Sequence, residues 1–429
     1  MPRSDPSSLR QNVSWAFVGN AVYAATQWLM LVSLAKLGTP TMVGQFALGL
    51  AVSAPVFIFT NLQLRSVLAT DAGDSHGFGD YLGLRLTTAA VALVTVVAIA
   101  LAGYRETALV IVLLGLAKAI EAQSDICYGW FQHLERLALM ARSLILRGLL
   151  GLATMAGLLA AGAGMTWAVL GLAGAWAVVL LGHDLPAAAR ARPPTPAGTP
   201  SRPPWPPRLE RARVVALIRL AWPLGLSMLF VSLNHNIPRY FVEHHLGEAG
   251  LGIFAAMAYL PVAGDIVIRA LGQAATPRLA RHHADGQQRA FDRLLARLLG
   301  LGLGLGLAGV ALAAVAGGRI LDFVFGPAYA AHADVFVWVM AAGALTYLGS
   351  LLNYASAATR AFSRFTAPYA AVTVVALVTS ALLIPWADLR GAAWSLCAIG
   401  AATCAAPMSI LIAVRLASRH SSRPTRRAP

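Results

Sequence analysis

The sequence predicts an all-α, polytopic membrane protein with about 12 transmembrane helices in two six-helix bundles. Of its 429 residues, 58% are hydrophobic and 12% are charged, whereas soluble domains have about 25% charged residues. Apolar stretches of roughly 20 residues, long enough to cross a hydrocarbon core of about 30 Å, recur along the whole chain. Only helices and closed barrels satisfy their backbone polar groups in lipid. The stretches are continuous rather than alternating, and this pattern favours helices.

Twelve spans are predicted, six on each side of a proline-rich segment. They cover residues 12–36, 42–63, 82–103, 107–127, 143–163, 165–185, 214–238, 249–271, 295–316, 333–353, 367–386 and 391–414. The segment 186–213 contains nine of the 23 prolines and six arginines. Because proline lacks an amide donor and fixes φ, we expect this segment to be an extended cytoplasmic linker. The predicted domains are an N-terminal bundle (1–185), the linker (186–213), a C-terminal bundle (214–414) and a basic cytoplasmic tail (415–429).

A short shared pattern indicates that the two bundles are related. Each half opens with a long helix, which ends at Leu37-Gly38 in the first half and at Leu246-Gly247 in the second. The next helix then begins with GQFA at 44–47 or GIFA at 252–255. Together with six spans on each side, this pattern favours an internal repeat of the kind found in transporters, with the substrate between the bundles. If the halves are unrelated, the segment 186–213 is an ordinary loop between two helices.

Basic residues are concentrated on one side of the predicted topology. With the N-terminus in the cytoplasm, that side holds most of the 33 Lys and Arg residues. They are Arg3, Arg10, Arg65, Arg85, Arg136, Arg142, Arg147, the arginines of 186–213, those between Arg278 and Arg297, Arg360, Arg364 and those from Arg415 onward. The positive-inside rule therefore predicts that both termini are cytoplasmic. Topology and anionic headgroups account for the net charge of +15, so no nucleic-acid partner is predicted.

The fourth span contains three ionisable residues on one helical face. Lys118, Glu121 and Asp125 are spaced i, i+3 and i+7, and at 3.6 residues per turn all three point the same way. Ionisable groups in a membrane are costly and are functional candidates by default. Two interpretations are open: this face lines a polar cavity in which Lys118 meets an anion, or Lys118 and Glu121 form a local pair that lowers the cost of burying them.

Four further ionisable residues are candidates for a substrate site. Asp265 and Arg269 in the eighth span are spaced i, i+4, a pairing geometry, but Arg269 also lies where it can extend to the headgroups. Arg65 closes the second span, where either cytoplasmic anchoring or substrate contact explains it. Arg239 follows Pro238, a predicted helix kink, and is one of the few basic residues on the outer side. That position runs against the charge bias and favours a function.

No motif in the chain carries catalytic or cofactor chemistry. The cysteines, Cys127, Cys397 and Cys404, lack metal or disulfide spacing, and the sequence contains no G-x-S-x-G or Walker motif. The glycine-rich stretch 300–306 lies in an apolar span, where small residues serve close helix packing. The predicted outer loops are too short for a catalytic domain. We therefore predict a protein that is not an enzyme and that uses no metal or cofactor.

Three short motifs resemble the bacterial polysaccharide and O-antigen flippases. They are LxLR at Leu62–Arg65 with Asp71 after it, NIPRYFVE at Asn236–Glu243, and LG-x(4)-GIF at Leu246–Phe254. These flippases belong to the multidrug/oligosaccharidyl-lipid/polysaccharide (MOP) exporter superfamily, and with the six-plus-six layout the resemblance spans nearly the whole chain. It implies a V-shaped exporter fold and a cavity bearing basic residues. By this resemblance Arg65 and Arg239 are candidate cavity residues.

The resemblance implies a lipid-linked oligosaccharide flippase in the bacterial inner membrane. Such a protein moves undecaprenyl-diphosphate-linked, O-antigen-like repeat units from the inner to the outer leaflet by alternating access. The implied partners are that substrate and membrane lipids; whether other polysaccharide-assembly proteins join them is left open. One alternative is a small-molecule/cation antiporter that uses Glu121, Asp125 or Asp265 as its coupling carboxylate. The other is a membrane polysaccharide polymerase or ligase, against which the short outer loops speak.

Overall fold

A computed structural model describes residues 6–71, 76–191, 207, 210–359 and 366–421, and every regular element within these ranges is a helix. The predicted all-α fold class is confirmed. The contacts divide the chain into two compact units, Met1–Ser232 and Leu233–Pro429. The predicted domain boundaries stay predictions, because most of the proposed linker lies outside the described residues.

The first unit is built from the helices up to the middle of α9. They are α1 (Pro6–Leu37), α2 (Pro40–Thr60), α3 (Leu64–Ala69), α4 (Phe78–Gly103), α5 (Ala108–His133), α6 (Leu137–Ala160), α7 (Gly164–Val179), α8 (Leu185–Arg190) and α9 (Arg211–Tyr259). Thr39 caps α2 by accepting a hydrogen bond from the amide of Met42, and Pro40 occupies the first turn, where no amide partner is needed. This cap sets the turn that reverses the chain after α1.

The second unit contains the rest of α9 and five further helices. They are α10 (Val262–Ala284), α11 (Gln288–Phe325), α12 (Pro327–Ala330), α13 (Ala333–Ala358) and α14 (Thr366–Ser421). Two of these helices are broken: α9 at Gly247, where φ is 68°, and α14 at Ala387 and Asp388. The break at Gly247 lies at the position that the sequence pattern matches to Gly38. In both halves this position therefore separates a long first helix from the second.

Among the described residues, nine helical stretches are long and apolar enough to cross a membrane. Two of them, Gly225–Ala284 and Ala367–Leu416, are 60 and 50 residues long and contain breaks, so each holds two of the predicted spans. Helix α5 is not among the nine, because it carries three ionisable residues. With α5 included and the broken stretches counted as pairs, the predicted set of spans is found. The chain is a multi-pass membrane protein.

The beginning of the predicted linker is helical, which corrects the expectation of an extended segment from residue 186. Helix α8 contains Pro186 and ends at Arg190, and the five residues before it, Leu180–Asp184, form a π-helical turn. Proline cannot donate to the carbonyl four residues earlier, and a π turn changes the hydrogen-bond register there. The alanines after Pro186 then continue the helix. Residues 192–206 lie outside the described ranges.

Small residues set how the helices of the first unit approach one another. A Cβ atom on Gly148 of α6 would lie 2.3 Å from Thr26 Oγ1 of α1, and one on Gly19 of α1 would lie 2.7 Å from Ala141 Cα. The two backbones therefore pack closely, as is common where small residues face each other in membranes. This packing brings Arg147, next to Gly148, against the polar side of α1.

Candidate functional site

The charged face of α5 forms two ion-pair clusters in the first unit. Asp125 accepts hydrogen bonds from Arg65 Nη1 on α3 at 3.1 Å and from Arg85 Nη2 on α4 at 3.2 Å. The two arginines differ in exposure: the side chain of Arg85 is fully buried, whereas that of Arg65 is 32% exposed. Arg85 also donates to the backbone carbonyl of Asn61 at 3.1 Å. One carboxylate is therefore shared by a buried and a half-exposed base.

The second cluster, centred on Glu121, repeats this arrangement one helical turn away. Glu121 accepts from Lys118 Nζ at 2.7 Å, from Arg147 Nη2 at 3.1 Å and from Tyr23 Oη at 3.2 Å. The side chain of Arg147 is 3% exposed and that of Lys118 is 27% exposed. Because Glu121 and Asp125 are spaced i, i+4, their Cβ atoms are about 5–6 Å apart. The half-exposed bases, Lys118 on α5 and Arg65 on α3, therefore pair with carboxylates on neighbouring turns of α5.

Aromatic rings enclose the guanidinium of Arg147. Its Cζ atom lies 4.6 Å from the ring centre of Tyr23, 5.1 Å from that of Trp176 and 5.6 Å from that of Tyr128. Its Nε and Nη1 have no hydrogen-bond partner among the described residues, and cation–π contacts take the place of such partners. Asp184, which is bonded to His183 Nδ1 at 2.9 Å, also acts electrostatically on Arg147. The guanidinium is thus held in place within the protein interior.

Backbone geometry brings Arg65 to Asp125. Between α2 and α3, Leu62 and Gln63 have φ values of 50° and 52°, a left-handed conformation that non-glycine residues rarely adopt. A Cβ atom on Gly129 of α5 would lie 3.1 Å from the carbonyl oxygen of Arg65, so the absence of a side chain there lets α3 approach α5. Backbone strain of this kind often marks a functional site.

The two clusters carry more positive than negative charge. Four bases surround the carboxylates of Glu121 and Asp125, and Asp184 is the third carboxylate near them. Among these side chains, four bases against three carboxylates leave an excess of one positive charge. The positive charges that solvent or a ligand can reach are those of Arg65 and Lys118. Chemically, such a face attracts a multivalent anion such as a phosphate or diphosphate group.

The candidates predicted in the second unit form a separate set. Arg269 Nε lies 3.1 Å from Asp265 Oδ2, so the expected i, i+4 pair is present, and the Arg269 side chain is 52% exposed. Arg239 Nη1 donates to Asn236 Oδ1 at 3.1 Å. Electrostatic interactions link His235 to Arg239 and to Asp265. Their role as cavity residues stays a prediction.

Arg85 and Arg147 are the functional candidates that sequence reasoning missed. The charge bias predicts both to be cytoplasmic, but the structure buries them in α4 and α6, where each pairs with a carboxylate of α5. The signal for them was available, because Arg85 lies inside the predicted span 82–103 and Arg147 inside 143–163. Tyr23, which lies in the predicted span 12–36, was also missed. Nothing in its local sequence marks a partner 98 positions away.

Comparisons with known proteins agree with the architecture. No family model matches the chain. The Staphylococcus aureus protein named capsular polysaccharide biosynthesis protein CapF is 24% identical in an alignment of 390 residues, which covers 89% of this chain and 94% of that protein. The inward-facing structure of a multidrug resistance MATE family transporter of the MOP superfamily has a TM-score of 0.69 at 14% identity. The superposition covers 95% of this chain and 100% of the chain in that structure.

A second solved structure has a comparable likeness. The lipid II flippase MurJ, in an inward closed conformation, has a TM-score of 0.71 at 8% identity, over 93% of this chain and 87% of that structure. One of these structures is that of a transporter and the other is that of a flippase. The chain therefore has the fold of these MOP-superfamily structures. The predicted resemblance to the polysaccharide branch agrees with its similarity to a capsular polysaccharide biosynthesis protein.

Proposed function

We propose that this protein is a flippase for lipid-linked oligosaccharides. It moves undecaprenyl-diphosphate-linked polysaccharide repeat units from the inner to the outer leaflet of the bacterial inner membrane by alternating access. The observation that carries the proposal is the face of α5, where the half-exposed bases Lys118 and Arg65 belong to clusters in which bases outnumber carboxylates. The likeness to a capsular polysaccharide biosynthesis protein supports a polysaccharide precursor as the substrate. Both termini are proposed to be cytoplasmic.

The physical problem of flipping is the charged headgroup. A diphosphate and its sugars would have to lose their hydration in hydrocarbon, at a cost far above thermal energy. Lys118 and Arg65 replace part of that hydration with charge-assisted hydrogen bonds, while the polyprenyl tail stays in lipid. Outward movement of the headgroup also follows the membrane potential, which contributes roughly 2.3 kcal/mol per negative charge at 100 mV, inside negative. In the second unit Arg239 is proposed to contact the headgroup as well.

The proposal is tested in the native cell. The protein is depleted, and a reagent that cannot cross the inner membrane reports the leaflet in which lipid-linked oligosaccharide accumulates. We expect accumulation in the inner leaflet and rescue by the wild type, but not by Lys118→Met or Arg65→Gln at equal protein levels. Arg293→Gln is the matched control, because Arg293 is an exposed arginine on α11 outside the clusters. Unchanged lipid-linked pools and normal surface polysaccharide on depletion would exclude a flippase.

A small-molecule/cation antiporter is the second candidate. The observation in its favour is the likeness to a MATE transporter, which is as close as that to the lipid II flippase. Glu121, Asp125 or Asp265 would then be the coupling carboxylate. Ion-dependent efflux from vesicles by wild-type protein, lost in Glu121→Gln or Asp265→Asn, would identify this function.

A further inference from the structure

Both clusters on α5 share one design, in which a carboxylate lies between a buried arginine and a half-exposed base. Asp125 lies between Arg85 and Arg65, and Glu121 lies between Arg147 and Lys118. We propose that Glu121 and Asp125 are exchangeable counterions. When the anionic headgroup binds, Lys118 and Arg65 leave these carboxylates for the headgroup, and Arg147 and Arg85 keep the carboxylates neutralised. This inference rests on the proposed function and names the residues that control it.

The buried arginines are the wrong groups to meet a ligand directly. Arg85 has no exposed side-chain surface, and Arg147 is 3% exposed. Arg85 is also held by the carbonyl of Asn61, and Arg147 is surrounded by the rings of Tyr23, Tyr128 and Trp176. They are positioning residues that act on the headgroup through the carboxylates.

In each cluster, the buried arginine determines whether the half-exposed base can leave the carboxylate. A carboxylate with a single partner would be left charged and unpaired in the membrane interior once that partner moved to the substrate, which is strongly unfavourable. Glu121 keeps two donors when Lys118 leaves, Arg147 Nη2 and Tyr23 Oη. Asp125 keeps Arg85 Nη2 when Arg65 leaves. Each cluster can therefore release one positive charge without leaving a bare carboxylate behind.

The number of released charges implies a preference among ligands. The two clusters release two positive charges, Lys118 and Arg65, beside carboxylates on neighbouring turns of α5. A headgroup with at least two negative charges therefore satisfies both. A monophosphate ester satisfies them less fully than a diphosphate ester. The site is thus expected to select diphosphates, and the strength of that selection depends on how firmly Glu121 and Asp125 hold their half-exposed partners.

The test measures ligand affinity in purified, full-length protein in lipid nanodiscs. Farnesyl diphosphate is the probe, and farnesyl monophosphate is the comparison ligand. Removing the carboxylate that competes for Lys118 should tighten binding, so Glu121→Gln is expected to bind the diphosphate about threefold to tenfold more tightly, which corresponds to roughly 0.7–1.4 kcal/mol. Arg147→Gln should weaken binding by about tenfold, because Glu121 then depends on Lys118 alone among the bases.

The double variant Arg147→Gln/Glu121→Gln separates positioning from direct contact. In this double variant no carboxylate at position 121 competes with the ligand for Lys118, and Arg147 is no longer needed to neutralise one. We therefore expect its affinity for farnesyl diphosphate to be at least equal to that of the wild type. The same comparison is made at the Asp125 cluster, in case the Glu121 variants fail to fold. There the single variant is Arg85→Gln and the double variant is Arg85→Gln/Asp125→Asn. Arg293→Gln is the charge-matched control, and thermal melting of each variant reports whether it is folded.

The outcomes distinguish this inference from the function it rests on. Wild-type protein that binds neither ligand would overturn the proposed substrate site itself. If the wild type binds the diphosphate but folded Glu121→Gln binds it equally tightly or less tightly, the hypothesis of exchangeable counterions is wrong. It is equally wrong if folded Arg147→Gln and its double variant are equally weak, since Arg147 would then act as a direct contact. A wild-type preference for diphosphate over monophosphate, reduced in Lys118→Met, would support it.

Discussion

Removal of Asp125 should destabilise the first unit far more than removal of its half-exposed partner. In Asp125→Ala the fully buried Arg85 keeps its bond to the Asn61 carbonyl but loses its carboxylate. Leaving a buried charge uncompensated in this way costs about 3–5 kcal/mol. In Arg65→Ala, by contrast, Asp125 keeps Arg85. The expected loss there is about 1 kcal/mol, the scale of a partly exposed pair.

Another ion pair in the chain provides the control for this comparison. Asp334 accepts from Arg390 Nε at 2.6 Å, and both side chains are about half exposed. Despite this short distance, solvent screens the pair, so Asp334→Ala is expected to cost less than about 1 kcal/mol. The control therefore separates the effect of burial from the effect of deleting an aspartate.

Reversible unfolding in mixed detergent and SDS micelles, followed by tryptophan fluorescence, measures the three changes in the free energy of unfolding. Asp125→Ala should lose much more free energy of unfolding than Arg65→Ala. The loss in Asp334→Ala should be equal to or smaller than that in Arg65→Ala. Equal losses for the two aspartate variants would refute the reasoning, because burial of Arg85 would then have no energetic consequence. A loss in Arg65→Ala as large as that in Asp125→Ala would show that Arg65, not Arg85, neutralises the carboxylate.

Three further predictions concern the surroundings of Glu121. Gly148→Val should separate α1 from α6, because an added Cβ would lie 2.3 Å from Thr26 Oγ1. We expect this variant to have a lower melting temperature and its cells to carry less surface polysaccharide. Gly157→Val is the control and should change neither, because a Cβ at position 157 has no atom within 4 Å. Tyr23→Phe removes one hydrogen bond to Glu121 and should cost about 1 kcal/mol in the same unfolding assay. Lys118→Arg keeps the charge and should retain more flipping, measured by leaflet labelling, than Lys118→Met does.

Local patterns predicted those parts of the molecule that depend on neighbours along the chain. Continuous apolar runs identified the helices, and the i, i+3, i+7 spacing placed Lys118, Glu121 and Asp125 on one face. The i, i+4 spacing likewise predicted the pair between Asp265 and Arg269, which the structure contains. Each of these features follows from the geometry of a single helix.

Features that depend on packing between distant helices could not be predicted in this way. Arg85 and Arg147 looked like ordinary cytoplasmic charges, since the positive-inside rule accounts for basic residues near helix ends without asking what they contact. Their partners are 40 and 26 positions away in the sequence. The helical start of the predicted linker was missed for a different reason. Proline predicts a helix break at Pro186, but the π turn before it allows the helix to continue.

The charges on α5 have a consequence for how the chain enters the membrane. Each ionisable residue at a helix centre costs roughly 2.5–3.5 kcal/mol when a helix is inserted alone, so α5, which carries three, is poorly able to leave the translocon by itself. Arg65 and Arg85 are synthesised before α5, whereas Arg147 follows in α6. We therefore expect α5 to enter lipid together with α6, as one hairpin that docks on helices already present. A nascent chain that ends before Arg147 should keep α5 at the translocon.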